Sequence, residues 1–288
     1  MSESPFTSTL STGGFLALAG TGFRPLKMVQ GTSVVSLGYQ KKPSRHLRGA
    51  LSPQRLEWPT GAGQVYLPRG SLTVQQYLNE GGWYELEERT AAYNDARTHA
   101  LARLGAAAQE AGALAVVDVR IRRGLLGHAQ HAIEFTALGT AVTSDRFEVG
   151  EENPAPIVSV SGTDFWKLVE SGVWPLGLVG GTSVGYVVSG YRTKFARFRP
   201  SRRAYRNQEY EDYTQGLHDA RLHAASRLRR EATELGASGV LGISVGRTLK
   251  EQSDNDLMVT VDLLGTAVAS LDSGAPPSLA YALGLGQA

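Results

Sequence analysis

The sequence predicts an α+β protein made of two tandem copies of one small module, each a short helix, strands, a long helix and a β-hairpin. Three observations carry this reading. Four sequence blocks occur twice in the same order. Within the blocks, hydrophobic spacing alternates between the strand and the helix period. The composition, 42% hydrophobic and 19% charged over 288 residues, is globular, and the length allows two domains with a core each.

The first element of a module is a short helix, written "TDFWKLVESG" in the second copy, where Ser161 or Thr163 can cap the start and Gly172 follows the end. Next comes a β-branched, glycine-punctuated block, "FRPLKMVQGTSVVSLGY" at Phe23 to Tyr39 and "VWPLGLVGGTSVGYVVSGY" at Val173 to Tyr191. It reads as a strand pair or one long bent strand. The third block is a helix, "DARTHALARL" at Asp95 to Leu104 and "DARLHAASRL" at Asp219 to Leu228, with seven of ten letters shared. Its apolar stripe is Ala96, Ala100, Leu104, Ala108 and Ala111, repeated as Ala220, Ala224, Leu228, Ala232 and Leu235, and so much alanine suits close approach to a sheet. Gly112 and Gly236 follow as helix ends. The last block pairs "AGALAVVDVRI" and "FTALGTAV" with "LGASGVLGISV" and "VDLLGTAV", a hairpin packed on the helix.

Module 1 is expected at residues 5–144, a linker at 145–156, module 2 at 157–270 and a tail at 271–288. The early blocks are offset by 150 residues and the helices by 124, so module 1 carries an insertion, the loop at 41–70. Insertions collect in surface loops. The corresponding stretch of module 2, "RTKFARFRPSRRAYR", has seven basic residues in fifteen and no acidic one.

The ordered set Pro-Leu-x-x-Val-x-Gly-x-Ser-Val, a helix ending in Gly-Ala, and a closing Gly-Thr-Ala-Val strand, present twice, resembles the YbjQ-like family, also called heavy-metal-binding domain. The resemblance covers nearly all of both modules. It implies small α+β domains that assemble into rings, commonly of five modules, and a role for metal. Five chains forming two stacked rings is the closed homo-oligomer this suggests.

The residues offer three kinds of site. Asp95 with His99, and Asp219 with His223, lie four apart on one helix face, followed by Arg103 and Arg227. Two ligands are fewer than the three or four a metal centre needs, so the row reads first as a polar or interface-lining edge, with a divalent metal reached only if subunits share ligands. His128 and His131 form a local pair at an expected hairpin tip, where polarity is the rule. No other cofactor is indicated. Lys41, Lys42, Arg45 and Arg48 in the first basic loop, and Arg192, Lys194, Arg197, Arg199, Arg202, Arg203 and Arg206 in the second, interleave with Phe195, Phe198 and Tyr205. That mixture suits nucleic acid, an anionic surface or an acidic protein, and a net charge of +2 restrains it. Gly31, Gly181, Gly139 and Gly265, shared by the copies, are candidate interface or bulge positions.

Several classes are excluded or disfavoured. The absence of cysteine removes thiolate metal sites, disulfides and cysteine nucleophiles. No signal sequence and no run of about 18 apolar residues is visible, so a cytoplasmic protein without a transmembrane segment is expected. The Gly-Thr-Ser-Val stretches lack the Lys and helix start of a phosphate-binding loop. No nucleophile, base and orienting group come together. The expectation is a non-enzymatic ring-forming scaffold or binding module.

Overall fold

The computed structural model describes residues 6–37, 82–126, 132–145, 155–190, 193, 209–252 and 255–270. The first helix, α1 (Thr12–Ala19), is capped by Ser11, whose hydroxyl accepts from the Gly14 N–H at 3.1 Å. In the second copy α3 (Gly162–Glu170) is capped by Ser161, which accepts from the Asp164 N–H at 3.1 Å. These bonds satisfy donors that the first helical turn cannot pair internally. Each helix turns into its strand through a glycine at positive φ, Gly22 or Gly172, a conformation costly for residues with a Cβ.

The block after each helix is one long strand, β1 (Phe23–Ser36) or β5 (Val173–Val188), so of the two readings left open the single bent strand holds. Both shift register at their proline, between Pro25 and Lys27 and between Pro175 and Gly177, because proline has no N–H for the ladder. The hairpin of module 1 is β3 (Ala115–Leu126) and β4 (Ala132–Ser144); that of module 2 is β6 (Gly239–Glu251) and β7 (Leu257–Ser270). A second register shift lies opposite Gly139 and Gly265, between Val117 and Arg120 in one copy, where Asp118 has φ 53°, and between Leu241 and Ser244 in the other, where Gly242 has φ 61°. The short strand β2 (Gly82–Glu85) precedes the long helix of module 1. Strand order is β1-β4-β3 in one sheet and β2-β5-β7-β6 in the other. The strand β2 thus belongs by sequence to module 1 and by pairing to the sheet of module 2.

The long helices, α2 (Glu87–Glu110) and α4 (Glu211–Glu234), carry two acidic residues each in the first turn, where the helix dipole favours them. Both end on a glycine at positive φ, Gly112 and Gly236. In α2 the Ala113 N–H reaches the Ala108 carbonyl at 3.1 Å and the Gly112 N–H reaches Gln109 at 2.9 Å, a Schellman closure. The alanine stripe is buried as expected at Ala96, Ala100, Leu104 and Ala108 and at their counterparts Ala220, Ala224, Leu228 and Ala232, while Leu235 is exposed.

Alanine lets each helix lie on its strand with almost no gap, and glycine completes the fit. A Cβ at Gly31 would run into the Ala100 carbonyl oxygen and lie 2.5 Å from the Leu104 nitrogen; at Gly181 it would run into the Ala224 carbonyl oxygen and lie 2.9 Å from the Leu228 nitrogen. Gly139 and Gly265 face Val116 and Val240 of their own hairpins at 2.6 Å. The crowding at all four is therefore within a module, between a strand and its helix or hairpin partner. Gly105 on α2 is different, since an added Cβ meets only Ile157 at an ordinary 3.6 Å. Gly105→Ala should accordingly raise stability by about 0.5–1 kcal/mol through helix propensity, read as a higher urea midpoint at unchanged slope.

Candidate functional site

The place where the chain gathers its buried polar chemistry is the junction of the two modules. It is built by β2, which runs antiparallel to β5 with Trp83 opposite Val187 and Glu85 opposite Gly185. The aromatic chain of Trp83 enters the core of module 2 beside Val187, Ala220, Ala224 and Val259. Its ring stacks on His223 with centroids 5.0 Å apart. Glycine at 185 makes room, since a Cβ there would lie 2.7 Å from the indole. Tyr84 and Leu86, alternating with Trp83, turn to the other side and join Tyr93, Ala96, Val184 and Tyr186 in a cluster that spans both modules.

Glu85 is the centre of the polar part. Its Oε1 accepts from Ser183 Oγ at 2.7 Å and from Thr90 Oγ1 at 3.2 Å. Its Oε2 accepts from Arg227 Nη2 at 2.9 Å and lies 3.1 Å from His223 Nδ1, which must carry its proton there because an ionised carboxylate can only accept. Burial pushes the Glu85 carboxyl up, but the hydrogen bonds from His223, Arg227 and Ser183 and the Arg227 charge outweigh it and hold the pKa at about 2. A buried carboxylate surrounded by donors and a cation is a latch, ionised at any physiological pH.

Two further contacts bind module 1 to β5. The Asn94 amide donates to the Thr182 carbonyl at 3.2 Å and accepts from its N–H at 3.1 Å, extending the strand edge with a side chain. Arg97, buried on α2, pairs with Glu231 on α4, and Glu231 also accepts from the Gly180 N–H at 2.9 Å. On the far side, residues 155–160 leave the start of module 2 and lie along β3 of module 1. Val158 N–H donates to the Val116 carbonyl at 2.8 Å and Val119 N–H to the Val158 carbonyl at 3.0 Å. Arg123 of β3 pairs with Asp262 of β7. Each module thus lends a segment to the edge of the other's sheet.

The sequence-predicted residues distribute unevenly over this site. His223 and Arg227 are at its centre, in the interface-lining role, although His223 meets Glu85 of the other module and Asp219 instead accepts from Gln215 Nε2 at 3.0 Å. Asp95 and His99 are exposed on α2, and Arg103 donates to the Thr32 carbonyl. Among the described residues no group of three or more His, Asp or Glu could hold a metal ion. Of the two helix histidines, His223 is engaged by Glu85. His128, His131 and every basic-loop candidate (Lys41, Lys42, Arg45, Arg48, Arg192, Lys194, Arg197, Arg199, Arg202, Arg203 and Arg206) lie outside the described residues.

Trp83, Glu85, Asn94, Arg97 and Glu231 were not singled out from sequence. The available signal was the difference between copies: module 2 has Gly180 and Gly185 where module 1 has Gln30 and Val35, and Trp83 has Asn207 as its counterpart. Trp83, Asn94 and Glu231 are unmatched between the copies, whereas Glu85 and Arg97 recur as Glu209 and Arg221, so the difference between copies marks only part of the contact.

Comparison with known proteins bears on the same regions. The family described as putative heavy-metal-binding, of YbjQ type, matches residues 81–145 and 177–270. The chain is also 32% identical over 245 residues, 84% of its length and 78% of the relative's, to encapsulin nanocompartment protein Rv1762c of Mycobacterium tuberculosis. Among the described residues no helix is long and apolar enough to cross a membrane.

Proposed function

Because the chain belongs to the YbjQ family of putative heavy-metal-binding proteins and carries that domain twice, we propose that it is a non-catalytic, self-assembling scaffold. One observation carries the reading: the two modules are joined by exchanged edge segments and a buried Glu85 latch, the construction by which like domains associate. The name of the relative, an encapsulin nanocompartment protein, fits a role within a larger protein assembly. Buried polar residues at a fixed junction serve register, and a carboxylate that is fully hydrogen-bonded and ionised is poorly suited to proton transfer near neutral pH.

The mutual strand exchange places the modules side by side. Copies continuing in the same sense would alternate modules 1 and 2 around a closed ring, an arrangement that stands beside the two stacked rings of five modules expected from the sequence. Such a ring holds an even number of modules because it closes only on whole chains. The basic residues of 41–70 and 192–206 fit an anionic partner of the assembly.

The test is the intact mass by native mass spectrometry of protein purified without chelator or histidine tag. The expected result is a whole multiple, five chains being the sequence-based number, of the 30.8 kDa chain with no metal increment. A single chain carrying stoichiometric metal would overturn the scaffold reading.

A further inference from the structure

Among the described residues, β1 and β6 lack the edge partners that β5 and β3 have within the chain. We infer that a second copy supplies them: Glu209 of one chain reaches the cluster of His99 and Arg103, beside the already buried Ser33, of the next, joining chains head to tail. This rests on the scaffold reading and names its interface.

The receiving cluster is the counterpart of the occupied one. By the repeat offsets, Ser33, His99 and Arg103 correspond to Ser183, His223 and Arg227, and the incoming Glu85 corresponds to Glu209. Glu209 is prepared in the same way, since the Thr214 hydroxyl donates to its Oε1 at 2.7 Å as its counterpart Thr90 does to Glu85 at 3.2 Å. Yet Glu209 is exposed while Glu85 is buried, and His99 is exposed while His223 is half-buried. The strand edge tells the same story. Among the described residues no strand lies on the outer side of β1, and Val34 is 54% exposed there against 1% for its counterpart Val184, which β2 covers.

The opposite end of the chain shows the complementary gap. In module 1, β3 is covered by residues 156–160, and Val119 is 5% exposed. In module 2 its counterpart Ile243, on β6, is 51% exposed, with Leu241 and Val245 also exposed. The segment equivalent to 156–160 is Phe6 to Leu10, whose Phe6 is exposed. An edge strand with a row of exposed apolar side chains is a template for another chain.

A two-fold exchange between the modules would have filled both gaps within one chain; instead they lie at opposite ends, on β1 and β6. The contact between chains is therefore heterologous, and repetition closes a ring if the rotation allows.

The experiment compares intact masses of the wild type, Arg103→Glu, Glu209→Arg and the double variant. Each single reversal should reduce the assembly to single chains, and the double variant should restore the wild-type mass. Single variants that keep the wild-type mass overturn the inference while leaving the scaffold reading in place; a wild-type single chain overturns both. As a second measurement that does not depend on charge, Val35→Cys with Glu209→Cys uses the counterparts of the paired Gly185 and Glu85. In a chain without native cysteine, oxidation should give a ladder of covalent multimers. A product that stays at the mass of one chain, internally bridged or not, would overturn the inference.

Discussion

Gly181→Ala is expected to cost about 3–5 kcal/mol, a large fraction of the total in a protein of ordinary stability. The added methyl would meet the Ala224 carbonyl oxygen and the Leu228 nitrogen, backbone atoms in the middle of α4 that no rotamer change can move. Overpacking that side chains can relieve costs about 1–3 kcal/mol. Here the whole helix must lift, and with it the packing of Ala220, Ala224, Leu228 and Ala232 on the strand. Gly31→Ala should do the same to module 1, where the Cβ meets Ala100 and Leu104. Urea unfolding of the two variants beside Gly105→Ala separates the effects of a glycine held by contact from one held by nothing. Loss of less than about 1 kcal/mol at Gly181 would mean that the helix does not rest on the strand as described.

This pair of glycines also shows what the sequence could reveal. Repetition at fixed offsets reports everything the two modules share: the capped short helix, the long strand broken at proline, the alanine stripe, the hairpin. The direction of the glycine contact was not legible, because a glycine in a strand marks close approach without saying to what. The junction was less legible still. Strand β2 is four residues long, "GWYE", too short for a period of two to stand out, and its pairing with β5 crosses 100 residues of sequence. His223 and Arg227 were visible as a polar row, but their partner was not, since Asp219 at i–4 is the nearer carboxylate in sequence and Glu85 the nearer one in space.

Glu85→Gln should therefore show an effect that depends on pH in a way a purely steric latch would not. Glutamine keeps the shape and one acceptor, but leaves Arg227 and His223 facing a neutral group. The folded pKa of about 2 lies below the ordinary value of 4.5, a gap equivalent to about 3 kcal/mol of stabilisation by the charged form. Because the pKa is depressed on folding, that contribution is complete above the unfolded value and is lost as pH falls from 4.5 towards about 2. At pH 7 the variant should lose about 2–3 kcal/mol, below the usual figure for breaking a buried pair because Arg227 and His223 are part-exposed to water. In acid the gap between wild type and variant should narrow, the wild type falling to meet the variant. Denaturation midpoints measured across that range, with Trp83 emission reporting the junction, give the comparison. If the variant is weaker by the same amount at every pH, Glu85 acts through hydrogen-bond geometry alone. If the difference closes in acid, the charge itself holds module to module, and the same carboxylate chemistry is available to Glu209 for joining chain to chain.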